Sequence, residues 1–183
     1  MRYGVAWVAA ALMFTSSVVW AKETSNLYGY LSKQSQPIRL YVEDIQQKES
    51  ALQVDSAAFK TDLEKTLQER KSIRFAVVKT SEEADLILRV AIHDYYWTDD
   101  DPIEPLTSLP MMAYDAVTKE KYARLRAKFV VLDAKRDRVI WSELVKSTVS
   151  DAHMSEQEGS VRAHQELIQH FIRFAFSKPK KNL

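Results

Sequence analysis

The 183-residue sequence predicts an α+β two-layer sandwich, in which two helices pack on one face of a mixed sheet. Two kinds of periodicity indicate this fold class. Five segments alternate apolar and polar residues, as strands do, and two segments repeat apolar residues at helical spacing. Their order along the chain is β-α-β-β-β-β-α. A chain of this length suits one domain, which we place at residues 37–178.

The first three elements are expected to form a crossover unit. Apolar side chains alternate with polar ones over residues 38–42, in "PIRLYVEDI", which indicates a strand. A helix over about 56–71 follows, with Asp55 or Ser56 as its N-cap. Residues 73–78, "IRFAVV", form the next strand, which we expect to lie parallel to the first. The apolar positions of the helix recur every four residues, at Phe59, Leu63 and Leu67.

The second half of the chain predicts three strands and a closing helix. Residues 85–97 form a long strand, and 123–131 pair with 139–149 as a hairpin. Ser155 and Glu158 have the spacing of a capping box, which marks the start of a helix. Apolar residues then repeat at helical spacing, at Val161, Ile168, Phe171, Ile172 and Ala175.

Residues 1–21 have the layout of a secretory signal peptide, with a positive start, a short apolar run and small residues before Lys22. A retained signal anchor is the alternative, but the apolar run is shorter than the about 20 residues of a spanning helix. We therefore expect a periplasmic protein with no transmembrane segment after signal cleavage. Residues 22–36 are polar and predict a flexible lead-in, and 179–183 predict a basic tail.

Composition excludes several classes of function. The 26 Lys and Arg nearly equal the 25 Asp and Glu, so the strongly basic character of a nucleic-acid-binding protein is absent. The sequence has no cysteine, and therefore no disulfide, no thiol nucleophile and no site for a lipid on an N-terminal cysteine. Three scattered glycines cannot form a phosphate-binding loop. We expect no cofactor.

Acidic residues and histidines provide candidate metal ligands. Asp94, Asp99 to Asp101 and Glu104 could offer oxygens to a hard cation. However, consecutive aspartates point in different directions, and a solvated acidic turn is the alternative that we favour. His164 and His170 are six residues apart and do not share a helix face as zinc ligands would, so we expect both to be solvated. No metal site is predicted.

The segment "YYWTDDDPIEPLTSLPMMAY", residues 95–114, is too long for an ordinary connection. Its three prolines exclude a strand or helix. Its apolar residues either fold back over the sheet end or face a partner, beside a polar rim of aspartates. The candidate partner-binding residues are Tyr95, Trp97, Ile103, Leu106, Leu109, Met111 and Met112.

A basic row provides the second candidate site. Arg124, Arg126 and Lys128 alternate with apolar residues on one strand, so their side chains share one face, together with Tyr122. Such a row could bind an anionic ligand, for example a sugar phosphate or an acidic partner. The alternative is that these residues form the solvated face of a half-covered sheet.

Two stretches resemble exported bacterial envelope proteins of the LptE-like group. They are "FKTDLEKTLQERKSIRFAVVKTSEEADLILRVAIHDY" and the hairpin "YARLRAKFVVLDAKRDRVIWSE", and the resemblance extends over residues 38–149. Similar element orders occur in penicillin-binding-protein activators, CsgG-like secretion proteins and the N-terminal domain of TolB. The resemblance implies a role in lipopolysaccharide export at the outer membrane. Tyr28-Gly29-Tyr30 stands where the group has a lipidated cysteine followed by Gly-Tyr, so we expect an unlipidated protein.

These observations predict a non-enzymatic, exported envelope assembly or binding protein. It would aid lipopolysaccharide or outer-membrane protein assembly by binding an outer-membrane or envelope protein, or an anionic glycolipid. One alternative is a subunit of an outer-membrane secretion complex of the CsgG-like kind. Another is a metal-dependent hydrolase that uses the acidic loop.

Overall fold

The computed structural model describes residues 26–51, 54–98 and 121–178. The predicted signal peptide, basic tail and most of the 95–114 segment lie outside these ranges. The elements are α1 (Tyr28–Leu31), β1 (Ile38–Val42), β2 (Gln46–Gln47), α2 (Ser56–Gln68), β3 (Phe75–Val77), β4 (Leu86–Thr98), β5 (Lys121–Asp133), β6 (Arg138–Asp151) and α3 (Glu156–Phe176).

The strands form one mixed sheet of six strands in the order β3-β1-β4-β5-β6, with the short β2 beside β4. β1 is parallel to both β3 and β4, whereas β4, β5 and β6 are antiparallel. The predicted α+β fold, the crossover unit and the hairpin are therefore confirmed. α1 and β2 were not predicted, because they are too short to show periodicity.

The two long helices pack on one face of the sheet. On that face, alternate residues of β4 and β5 are buried, including Leu88 and Leu125. The contact with α3 is aromatic: the rings of Phe129 and Phe171 stack with their centroids 4.3 Å apart, and Trp141 lies 5.6 Å from Phe171. These rings fix α3 over the β5–β6 hairpin.

Both predicted helix caps are present. The side chain of Asp55 accepts hydrogen bonds from the backbone N–H groups of Ala57 and Ala58 at the start of α2. Ser155 and Glu158 form the capping box at the start of α3. Each cap supplies acceptors for backbone donors that have no partner within the helix.

Residues 26–31 pack against the C-terminal end of α3. Leu27 and Leu31 are buried in the core, and the backbone N–H of Leu27 donates to the carbonyl oxygen of Ala175 at 2.8 Å. The side-chain amide of Asn26 donates to the carbonyl oxygen of Phe174 at 2.7 Å. The described part of the expected lead-in is therefore anchored by two leucines four residues apart.

The expectation that His164 is solvated is wrong. Its side chain is buried, its Nε2 lies 2.8 Å from Oδ2 of Asp62, and its ring meets Phe59 edge-on. The sequence pattern of α3 alone could not show this contact, because the polar partner comes from α2. His170, also on α3, is only half-buried: its Nδ1 is 3.0 Å from the carbonyl oxygen of Lys146 on β6, and its Nε2 is 2.9 Å from Oε1 of Glu166.

Gly159 allows the first turn of α3 to approach the sheet closely. A Cβ atom at this position would lie 2.8 Å from the ring of Trp97 and 2.9 Å from Cβ of Ala123. The hydroxyl of Tyr95 donates to the carbonyl oxygen of Glu156 at 3.0 Å in the same region. The end of β4 and the start of β5 are thus held against the start of α3.

We expect Gly159→Ala to destabilise the protein by about 1–3 kcal/mol, because the added methyl group overpacks the contact with Trp97. Thermal unfolding monitored by circular dichroism measures the change. Gly29→Ala is the matched control, since a Cβ at Gly29 has no neighbour within 4 Å. Equal stability of the two variants would contradict the close approach at Gly159.

We expect Leu31→Ala to destabilise the protein by about 2–5 kcal/mol, because it removes a buried side chain and leaves a cavity against α3. Tyr30→Ala is the control, because Tyr30 lies next in the chain and is 54% exposed. Urea unfolding compares the two. A Leu31→Ala variant as stable as the control would show that the side chain of Leu31 adds nothing to the core.

Candidate anion-binding face

The face of the sheet opposite α2 and α3 carries the basic row. We call this surface the open face, because no helix of the described residues packs on it. A β-bulge between Ile92 and Asp94 turns Tyr95 toward the core and Asp94 outward. The central part of the open face consists of Arg89, Ala91, Asp94, Tyr96, Arg124, Arg126, Lys128, Val130, Leu144, Lys146 and Thr148.

Arg126 is the middle residue of the predicted basic row, and its charge is already compensated. Asp94 lies directly opposite it on β4. The guanidinium donates to both carboxylate oxygens, through Nη2 at 2.6 Å and Nε at 2.8 Å. This hydrogen bonding raises the pKa of Arg126. The Arg126–Asp94 pair therefore has little net charge and attracts an anionic ligand only weakly.

Arg124 and Lys128 flank this pair, and within the described residues neither has a carboxylate partner. A third such cation, Lys146, lies on β6 directly opposite Arg126. Lys146 is therefore a diagonal neighbour of both Arg124 and Lys128, at about 7–8 Å. We call Arg124, Lys128 and Lys146 the cationic cluster. Lys146 was absent from the predicted site because only the hairpin register brings it beside the row.

The other cations on the open face pair with acids. Nε of Arg89 lies 2.8 Å from the carboxylate of Glu43, and Nη2 of Arg39 lies 3.0 Å from that of Asp85. The hydrogen bond from Arg39 is the main cause that lowers the pKa of Asp85 to about 2, and Lys135 contributes. Among the described residues, the cations of the open face that lack a carboxylate partner therefore lie on its β5–β6 side.

An exposed tyrosine adjoins the cationic cluster. Tyr96 is 51% exposed and lies directly opposite Arg124, which in turn lies opposite Thr148. This row therefore combines an aromatic ring, a guanidinium and a hydroxyl on one surface. Such groups can contact an anionic ligand and its polar surroundings together.

The structure places only part of the predicted partner-binding segment. Tyr95 is 8% exposed and contacts α3, so its side chain belongs to the core. Trp97 is half-buried against that core, with Nζ of Lys121 5.9 Å from its ring centroid. The remaining predicted residues, Ile103, Leu106, Leu109, Met111 and Met112, lie outside the described residues.

Of the acidic residues considered as metal ligands, only Asp94 lies within the described ranges, and its carboxylate is paired with Arg126. Residues 99–101 and Glu104 lie outside these ranges. Over 26–51, 54–98 and 121–178, no three His, Asp or Glu side chains form a group that could hold a metal ion. Nor does any helix within these ranges combine the length and apolar character that a bilayer-spanning segment needs.

A cleft of about 560 Å³ lies on the helical side of the molecule. Its charged lining mixes three acids, Asp62, Glu69 and Glu166, with two bases, Lys65 and Arg162. Asp62 and Arg162 are themselves engaged, with His164 and Asp151. The cleft therefore has no preference for one sign of charge, unlike the cationic cluster.

Comparisons with known proteins identify the fold but no family. No family model matches the chain, and no curated protein matches it. Among solved structures, the hypothetical protein CT253 from Chlamydia trachomatis has a TM-score of 0.52 at 11% identity, over 76% of this chain and 98% of that one. At this identity the similarity shows the fold alone.

Two further solved structures have lower TM-scores. The PelC dodecamer from Paraburkholderia phytofirmans has a TM-score of 0.49 at 13% identity, over 78% of this chain and 90% of that one. Lipoprotein GNA1162 from Neisseria meningitidis has a TM-score of 0.43 at 9% identity, over 73% and 97%. Membership of the LptE-like group stays a prediction from the sequence.

Proposed function

We propose that the protein is a non-enzymatic, exported envelope assembly protein that binds an anionic envelope component through its open face. The observation that carries this proposal is the cationic cluster of Arg124, Lys128 and Lys146, which has no carboxylate partner among the described residues. Lipopolysaccharide or outer-membrane protein assembly is the process that the LptE-like resemblance implies.

The electrostatic environment of the cluster supports anion binding. Three like charges on adjacent strands repel one another, because the diagonal distances are within a Debye length at about 0.1 M salt. Asp94 relieves the charge of Arg126 only. A bound anion would provide the missing compensation for the other three side chains, and no helix of the described residues covers this face of the sheet.

A non-enzymatic role is supported by two potentially reactive side chains, His164 and Ser147, which make structural contacts. His164 is buried against Asp62, and the hydroxyl of Ser147 donates to the carbonyl oxygen of Ala163 at 2.7 Å. These groups stabilise helix packing on the side away from the open face. The hydrolase alternative depends on residues 99–104, which lie outside the described ranges, and no described contact favours a secretion-complex subunit.

The proposal predicts that Arg124→Gln/Lys128→Gln/Lys146→Gln weakens retention of the protein by the cell envelope. The reason is loss of the positive charge that binds the anionic component. Cells that express the full chain are fractionated at about 0.1 M salt, a concentration at which surface attraction still acts. The fraction that sediments with the envelope is then compared between wild type and variant.

The matched control is Lys65→Gln/Lys71→Gln/Arg173→Gln, which removes the same charge from residues on or beside the helices. Circular dichroism of both purified variants verifies that each is folded. We expect the control to sediment as the wild type does. If both variants, or neither, lose retention, the open face is not the binding surface and the proposed function fails.

A further inference from the structure

We infer that the anionic component is the phospholipid surface of a membrane, onto which the open face docks flat. This inference rests on the proposed function and names the class of ligand. An apolar zone lies beside the cationic cluster, and anion binding alone does not account for this zone. The residues of this zone are Tyr41, Ile87, Val130, Leu132, Val139 and Leu144.

The register places most of the apolar zone in one row across four strands. Tyr41 lies opposite Ile87, Ile87 opposite Leu132, and Leu132 opposite Val139. Leu132 is buried but does not belong to the main core cluster, which lies under the helices on the other face. The open face therefore carries apolar side chains of its own, outside the main core cluster.

Two members of the zone are strongly exposed. Leu144 is 48% exposed and Val139 is 43% exposed, although both lie on a strand whose inward side chains are well buried. Arg89 near the zone is paired with Glu43, and Arg39 and Lys135 share the carboxylate of Asp85. This half of the face thus presents apolar side chains beside cations that each have a carboxylate partner.

The two halves of the face meet at Lys128. Leu144 lies directly opposite Lys128 on β6, and Val130 follows it two residues along β5. Cations and exposed aliphatic side chains consequently lie next to each other on the open face. A membrane interface combines the same two features, since anionic phosphates lie beside acyl chains into which apolar side chains can insert. Tyrosines such as Tyr96 are enriched at that level of a bilayer.

A soluble polyanion fits this surface less well. It would use Arg124, Lys128 and Lys146, but it would gain nothing from Leu144 or Val139. An anionic membrane uses both sets, because long basic side chains reach the headgroups while aliphatic ones enter the boundary of the acyl region. The combination of charge and exposed apolar surface therefore favours lipid.

The experiment uses protein purified from cells that express the full chain, and sedimentation with protein-free vesicles. We expect binding to vesicles of phosphatidylcholine mixed with phosphatidylglycerol, and none to phosphatidylcholine alone. Arg124→Gln/Lys128→Gln/Lys146→Gln should lower the partition coefficient by about tenfold or more. Val139→Ser/Leu144→Ser should lower it by about fivefold or more, because two apolar side chains no longer insert.

Two control variants change the helical side of the protein. Lys65→Gln/Lys71→Gln/Arg173→Gln removes equal charge, and Val161→Ser alters an apolar residue on α3 that is 42% exposed. Both should bind vesicles as the wild type does. If Val139→Ser/Leu144→Ser also binds like the wild type, contact is through charge alone and flat docking is overturned.

The outcome separates this inference from the proposed function. Absence of binding to anionic vesicles, combined with envelope retention that depends on the cationic cluster, would overturn the lipid ligand. The proposed function would then stand, with an acidic protein or polysaccharide as the partner. Loss of the charge dependence in both experiments would overturn the two together.

Discussion

The stacking of Phe171 on Phe129 fixes α3 over the β5–β6 hairpin, and the rest of the structure depends on this contact. It determines which face of the sheet is the core. Because side chains alternate along a strand, it also determines which residues must face the other way. Arg124, Lys128 and Lys146 are on the open face for this reason. A change of one residue in register would move these cations into the core.

The β-bulge at His93 and Asp94 is the second structural constraint. If His93 occupied a regular strand position, the alternation that buries Leu88 and Ile92 would continue and direct Asp94 inward. The bulge instead directs Asp94 to Arg126 and turns Tyr95 toward α3. The bulge therefore places the carboxylate of Asp94 beside Arg126 on the open face. It also brings the hydroxyl of Tyr95 to the first turn of α3. Within the described part of the chain, the neighbouring cations receive no equivalent compensation.

Much of the fold could be predicted from the sequence, because periodicity reports which side of an element is buried. Alternation in 123–131 correctly separated the basic row from the core row. It could not reveal Lys146 as a member of the site, since that needs the register between two strands. It also could not reveal that Asp94 neutralises Arg126, because a bulge changes the alternation. The partners of His164 and Leu27 were missed for a related reason: both come from distant elements.

The contrast between compensated and uncompensated cations gives the open face its functional interpretation. A solvated sheet face needs polar side chains, but it does not need three cations that lack a carboxylate partner among the described residues. Arg39, Arg89 and Arg126 show that this fold readily places a carboxylate beside a cation where charge serves the structure. Cations that repel one another, next to exposed aliphatic side chains, are expected to reduce the stability of the isolated protein. Such a cost is typical of binding surfaces, because the groups that lower stability in solution are those that a ligand satisfies.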